Sequence, residues 1–205
     1  PFTEFLTFFQ KTPYPFNHWM IKEIMEQPMA IQRTLNFGGR IFNEKVRLGG
    51  LSSKLNLIQN KSELIILGCG TSFNAGLWIS YILKKNNVFK IVKIIDASEF
   101  ETYEISDPKN CLIIVLSQSG ETKDVHRCII KIKQLNIPII GIVNSVGSLI
   151  ARDSDCGIYL NAGREVSVAS TKSFICQLIA LTLFTLWYYN ISNDSNKFYN
   201  NTIKE

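Results

Sequence analysis

Histidine is scarce in this 205-residue chain, and basic residues are not gathered in any one stretch. The only histidines are His18 and His126, and the five cysteines show neither paired nor metal-type spacing. We therefore expect no metal site and no disulfide framework, with most thiols buried in a reducing, cytoplasmic compartment. The net charge of +5 is mild and forms no basic cluster or aromatic–basic stripe. Nucleic acid is therefore not an expected partner.

Long apolar runs are missing as well. In the predicted last helix, Thr171 to about Tyr189, the apolar run Leu178 to Phe184 is short and Gln177 interrupts the pattern. A membrane span needs about 20 apolar residues, so a buried core helix is favoured over a span. Residues 1–12 hold four phenylalanines but lack the basic start and longer apolar run of a signal peptide. A composition of 46% hydrophobic and 19% charged residues is typical of a soluble globular protein with one core.

Short apolar runs separated by helical stretches indicate the fold class. The runs are Leu64–Leu67, Phe89–Ile95, Cys111–Leu116, Ile137–Val143 and Cys156–Leu160. Strands of this kind belong to a parallel sheet that is covered by helices on both faces. Right-handed crossovers then predict an α/β, doubly wound sheet.

The stretch before the first core strand is predicted to be helical. His18 to Leu35 carries apolar residues on one face, and Pro28 is expected to kink this helix or to divide it in two. Ile41 to Leu48 is predicted to be a short extended segment, and Leu51 to Gln59 a further helix.

A loop rich in hydroxyl groups follows the third apolar run. Its sequence is Ser117-Gln118-Ser119-Gly120-Glu121-Thr122, and the helical stretch Lys123 to Gln134 comes next. The first backbone N–H groups of a helix lack internal partners and carry partial positive charge, so a loop of this kind can hold an anion. The same hydroxyls are also ordinary helix caps, and this loop alone leaves both interpretations open.

A second loop repeats the arrangement and favours anion binding. Leu64–Leu67 is followed by Gly68-Cys69-Gly70-Thr71-Ser72 and then by a helical stretch to about Lys85. In a parallel sheet both loops would lie at the carboxyl ends of strands, where ligands bind. Neither loop has the spacing and lysine of a P-loop, and the dinucleotide fingerprint lacks its third glycine. A compact phosphorylated metabolite is therefore a better ligand hypothesis than a nucleotide cofactor, and no cofactor is expected.

Four motifs in this order resemble a known family. The two loops are similar to those of the sugar isomerase (SIS) fold. The helical stretch with His18-Trp19-Met20, Lys22-Glu23-Ile24 and Glu26-Gln27-Pro28 resembles the glutamine–fructose-6-phosphate aminotransferase (isomerising) family. So does the later run of Asn161-Ala162-Gly163 and Val168-Ala169-Ser170-Thr171-Lys172. The resemblance covers about Tyr14 to Tyr189. It implies the first SIS domain of that enzyme, which makes glucosamine 6-phosphate, with five parallel strands in flavodoxin-like order.

The resemblance also implies a domain division, a ligand class and a site. The division is a 1–17 arm, 18–60 helices, a 61–190 SIS domain and a 191–205 polar tail. The implied ligands are fructose 6-phosphate, glucose 6-phosphate and glucosamine 6-phosphate, and the implied assembly is a homodimer. The implied site comprises Cys69, Gly70, Thr71, Ser72, Ser117, Gln118, Ser119, Thr122, Val168, Ala169 and Ser170.

No catalytic residue is expected in this chain. In the family, the catalytic groups come from a second SIS domain, a neighbouring subunit and a glutaminase domain, and no matching motif occurs here. The segment Arg164 to Ser167 departs from the family's usual glycine-containing run. Two alternatives stay open: a stand-alone SIS phosphosugar isomerase, and a phosphosugar-sensing regulator, although no helix-turn-helix is found.

Four further residues carry two interpretations each. Cys69 is interpreted as a wall of the pocket rather than a nucleophile, since no histidine is placed in sequence to activate it. Glu121 is interpreted as a partner of a helix dipole rather than a general base. Lys172 could pair with phosphate or be solvated, and His126 is expected to be a surface or packing residue.

Overall fold

The computed structural model of the chain describes residues 12–43 and 45–192. Most of the predicted 1–17 arm and of the predicted 191–205 tail therefore lies outside the described residues. The strands are β1 (Ile41–Phe42), β2 (Lys45–Val46), β3 (Glu63–Gly68), β4 (Ile91–Asp96), β5 (Cys111–Ser117), β6 (Ile139–Val143) and β7 (Cys156–Tyr159). The helices are α1 (Trp19–Met25), α2 (Gln27–Thr34), α3 (Gly49–Ser52), α4 (Leu55–Ile58), α5 (Thr71–Lys85), α6 (Lys123–Lys133), α7 (Leu149–Asp153) and α8 (Lys172–Ser192).

Five strands form one parallel sheet in the order β4-β3-β5-β6-β7. This is the flavodoxin-like order, so the predicted doubly wound α/β fold is confirmed. The chain leaves β3 towards β4 on one side and then returns to place β5 on the other side of β3. The strand order therefore reverses between β3 and β5. The loops that follow these two strands lie at the switch point, where ligands bind in such sheets.

Alternate residues of the central strands fill two cores. On β3, Leu64 and Ile66 belong to one buried cluster, while Ile65 and Leu67 belong to the other. All four are at most 1% exposed. Burying each of them contributes about 1.5–3 kcal/mol, which explains why the strand is apolar from Leu64 to Leu67. Both faces need a cover, which α5 and α8 supply on one side and α6 on the other.

Helix α8 covers the first of these faces. Its 21 residues, with a mean hydropathy of 1.5 in the most apolar window, are long and apolar enough by length and composition to cross a membrane. In the fold, however, Ala180, Leu181 and Phe184 are fully buried, and α8 packs against α2 and α5. This packing agrees with the interpretation of a core helix.

Of three elements before the sheet, the first agrees with the sequence prediction and the other two differ from it in detail. The predicted helix 18–35 is divided into α1 and α2, with Pro28 in the first turn of α2, where its missing N–H costs nothing. The extended segment is an antiparallel hairpin in which Ile41 pairs with Val46. The single helix predicted over 51–59 is instead two four-residue helices, α3 and α4, because Lys54 between them has a non-helical φ of −117°.

Candidate functional site

An open cleft of about 210 Å³ lies at the carboxyl edge of the sheet. Three segments form it: the loops after β3 and β5, and the segment that precedes α8. Its lining residues are Cys69, Thr71, Ser72, Gln118, Ser119, Thr122, Glu165, Ser167, Val168 and Ser170. The structure therefore brings most of the predicted site residues together. Gly70, Ser117 and Ala169 do not line the cleft.

The loop after β5 is organised from beneath by Ser117. This side chain is only 2% exposed, and its Oγ accepts a hydrogen bond from the Gly120 N–H at 3.0 Å. The same Oγ lies 2.8 Å from the Thr122 hydroxyl. Ser117 therefore shapes the loop, while Ser119 and Thr122 line the cleft. Gly120 has a φ of +70°, a conformation that glycine adopts without strain.

The loop after β3 delivers the start of α5 to the same place. Gly70 has φ 55° and ψ −124°, a backbone conformation that favours glycine, and α5 begins at the next residue. Ser72 accepts a buried hydrogen bond of 2.9 Å from Gln177 Nε2 on α8. In neither α5 nor α6 does an N-cap side chain accept a hydrogen bond from a first-turn N–H group. Their first-turn N–H groups are therefore free of that competition for an anion.

Cys69 forms part of the cleft wall and is not an activated thiol. Burial raises the pKa of the Cys69 thiol, and the nearby carboxylates of Asp96 and Asp124 raise it further. A thiol with a raised pKa stays protonated at neutral pH and is a poor nucleophile. This agrees with the interpretation of Cys69 as a pocket wall.

The segment before α8 contributes two lining residues that the predicted site lacked, Glu165 and Ser167. Glu165 Oε1 accepts hydrogen bonds from Thr171 N at 2.9 Å and from Ser173 N at 3.2 Å. The carboxylate thereby satisfies the start of α8 and bends the segment around the cleft. The only indication in the sequence was a glutamate a few residues ahead of a predicted helix start, where a negative charge is favourable, and this does not distinguish Glu165 from other charged loop residues.

The structure gives the remaining singled-out residues structural partners. Lys172 is buried at 3% exposure and its Nζ lies 2.5 Å from Glu26 Oε2, so the interpretation of a solvated lysine is wrong. Glu121 precedes α6 and accepts a 2.9 Å hydrogen bond from Leu149 N at the start of α7. His126 Nε2 lies 2.8 Å from Asp153 Oδ2 and links α6 to α7, consistent with a packing role.

The chemistry of the cleft is that of neutral donors. Within the described residues, the lining side chains include no lysine or arginine, and the one carboxylate, Glu165, is engaged by the start of α8. Across the same residues, no group of three or more histidine, cysteine, aspartate or glutamate side chains could hold a metal ion. An anion here would be held by hydroxyl groups, backbone N–H groups and helix dipoles.

A fold and site of this kind define an SIS domain. The family model described as the SIS domain matches residues 57–186, and the chain belongs to this family. Among similar proteins is a probable glutamine–fructose-6-phosphate aminotransferase (isomerising) of Acanthamoeba polyphaga mimivirus. It is 38% identical over 187 residues, which are 91% of this chain and 30% of that protein. The glutamine–fructose-6-phosphate aminotransferase of Saccharomyces cerevisiae is 38% identical over 174 residues, 84% of this chain and 24% of that protein.

A solved structure gives the same result. The C-terminal domain of glucosamine-fructose-6-phosphate aminotransferase from Francisella tularensis superposes with a TM-score of 0.83 at 30% identity. The match covers 94% of this chain and 54% of that one. This chain therefore corresponds to one SIS part of such proteins, and it spans less than a third of the length of the curated relatives it matches.

Proposed function

We propose that this chain binds a phosphorylated hexose as the first SIS domain of a glutamine–fructose-6-phosphate aminotransferase. The candidate ligands are fructose 6-phosphate, glucose 6-phosphate and glucosamine 6-phosphate. The observation that carries the proposal is the cleft at the switch point, where two hydroxyl-rich loops lead into α5 and α6. Relatives named for an enzyme that acts on fructose 6-phosphate support the choice of sugar.

The phosphate is expected to lie over the loop 117–122, where Ser119 and Thr122 offer hydroxyls and the start of α6 offers N–H groups. Neutral donors suit a dianion that has to be released again, because they hold it without a full opposite charge. The sugar would then extend towards the segment 165–170, which forms the third side of the cleft.

The proposal assigns binding, and no catalytic step, to this chain. The raised pKa of the Cys69 thiol keeps it protonated at neutral pH, and Lys172 Nζ is paired with the Glu26 carboxylate. Neither side chain is therefore prepared to act as a nucleophile. Amination and isomerisation would belong to the parent enzyme as a whole. A stand-alone isomerase and a sugar-sensing regulator are less favoured, because the relatives reported above are aminotransferases.

We expect the phosphate group to dominate the affinity. Titration calorimetry should show binding of fructose 6-phosphate and much weaker binding of fructose. Thr122→Ala should weaken binding by about 1 kcal/mol, the scale of one hydrogen bond. Thr182→Ala is the matched control, since that hydroxyl bonds to Leu178 O within α8. Equal affinity for fructose and its phosphate would contradict the proposal.

We also propose that the chain forms a homodimer. Four apolar side chains of α1, Met20, Ile21, Ile24 and Met25, are each more than 40% exposed. Helix α8, the other apolar helix, lies in the core, so we take the exposed apolar side chains of α1 as the candidate surface. Replacing Ile21 and Met25 by lysine should shift the mass in light scattering from dimer to monomer, whereas Tyr103→Lys should not. A monomeric unsubstituted chain at high concentration would refute the proposal.

We also propose a cytoplasmic location, on the basis of the cysteines. All five cysteines are free thiols in the fold, as a reducing compartment allows.

A further inference from the structure

The third side of the cleft is attached to the two helices that precede the sheet. Arg33 on α2 donates from Nε to Asn161 O at 3.1 Å and from a terminal nitrogen to Ala162 O at 2.9 Å. Glu26, the residue between α1 and α2, pairs with Lys172 at 2.5 Å. These contacts join residues 128 to 146 positions apart. The segment 161–172 thus depends on a distant part of the chain for its position.

Glu23 on α1 makes the most central of these attachments. Its side chain points into the segment: the residue is 2% exposed, and its carboxylate accepts hydrogen bonds from Val166 N at 2.5 Å and from Ser167 N at 3.2 Å. The Ser167 hydroxyl also donates to it. A buried carboxylate is costly unless donors satisfy it, and here the cleft segment supplies them. Glu23 therefore determines the backbone shape at residues 166 and 167.

Glu23 does not itself line the cleft, whereas Ser167, Val168 and Ser170 do. Resting on the proposed function, we propose that Glu23 is a positioning residue for the sugar-phosphate site. By holding the N–H groups of residues 166 and 167, it keeps the following residues against the two phosphate loops. The position of α1 and the affinity for sugar phosphate are then coupled, and coupling of this kind acts in both directions.

The test compares two buried glutamates that perform the same task at opposite edges of the sheet. Glu63, which is fully buried, accepts hydrogen bonds from Ser106 N and Asp107 N, both at 3.0 Å. It begins β3 and so lies at the amino edge, away from the cleft. Glu23→Gln should weaken fructose 6-phosphate binding about tenfold, the loss expected when bonds to a charged acceptor are weakened. Glu63→Gln should lower the melting temperature at least as much as Glu23→Gln does, because it also removes the charge that Lys93 Nζ faces at 3.3 Å, and it should leave the dissociation constant unchanged.

Hydrogen exchange in the unliganded chain provides a second measurement. Glu23→Gln should speed exchange at the amides of Val166 and Ser167, and Glu63→Gln should not. If Glu23→Gln fails to fold, Glu23→Asp retains the charge but withdraws it from the segment. It should show the same two changes to a smaller extent.

The outcomes separate this inference from the proposed function. An unchanged dissociation constant in a folded Glu23 variant, or an equal loss of affinity in Glu63→Gln, would overturn the assignment. If the unsubstituted chain bound no sugar phosphate, the proposed function would fail instead. Exchange at Val166 and Ser167 would still report whether Glu23 holds the segment.

Discussion

Gly120→Ala is expected to abolish sugar-phosphate binding and to destabilise the fold. A Cβ at this position would lie 1.9 Å from Ser148 Oγ and 2.5 Å from Ser148 Cβ, and Gly120 has a φ of +70°. Ser148 is 6% exposed and directly precedes α7, so it has little room to move. The left-handed backbone costs about 1–2 kcal/mol and the overpacking about 1–3 kcal/mol. Denaturant unfolding measures the loss of stability, and titration calorimetry measures the loss of sugar-phosphate binding.

Two further variants isolate the cause of this expected loss. Gly147 also has a φ of +70°, but no atom of the described residues lies within 4 Å of an added Cβ, so Gly147→Ala should show only the backbone cost. Adding Ser148→Gly to Gly120→Ala should restore part of the stability by removing the clash. The Ser148 hydroxyl is buried and has no hydrogen-bond partner within the described part of the chain, so its removal breaks no bond there. A Gly120→Ala protein as stable as Gly147→Ala would refute the steric argument.

Glu26→Gln is expected to destabilise the chain more than Lys172→Met does. The two side chains form one ion pair, but that of Lys172 is 3% exposed whereas that of Glu26 is 34% exposed. Removing the glutamate charge leaves a buried ammonium group without its counter-charge, at a cost of about 3 kcal/mol. Removing the lysine leaves a carboxylate that water already reaches, and methionine fills the same space, so we expect about 1 kcal/mol or less.

Thermal or denaturant unfolding of both variants tests this asymmetry. The double variant Glu26→Gln/Lys172→Met should recover most of the loss, because no unpaired buried charge remains. Equal losses in the two single variants would show that burial does not decide the effect.

Part of the site could be predicted because its chemistry lies in contiguous sequence. Ser119 and Thr122 stand directly between a buried strand and a helix start, and Thr71 and Ser72 are the first two residues of α5. Short apolar runs and helical spacing in the sequence locate those boundaries. The hydroxyls of Ser117 and Thr122 belonged to the same predicted loop. That Ser117 lies beneath the loop while Thr122 faces the cleft depends on atomic packing, which no local pattern records.

Other parts could not be predicted because they depend on contacts between distant residues. The interpretation of Lys172 as solvated failed since its partner, Glu26, lies 146 residues earlier in the chain. Glu165 and Ser167 were outside the predicted site because nothing in the sequence distinguishes them from other polar loop residues. That the Glu165 carboxylate folds the segment around the cleft is visible only in the structure. Glu23 lies next to this segment only in space, and the sequence around it does not indicate its contact with residues 166 and 167.

The sequence by itself determined the layers, the strand-and-helix alternation and the two hydroxyl loops of this SIS domain, because apolar periodicity and helix-start chemistry act over a few residues. Only the tertiary structure decided the third side of the cleft. Its shape comes from Glu23, Glu26 and Arg33 on or between α1 and α2, which hold the segment 161–172 by hydrogen bonds and an ion pair. Such contacts join residues 128 to 146 positions apart, so no local pattern in the sequence indicates them.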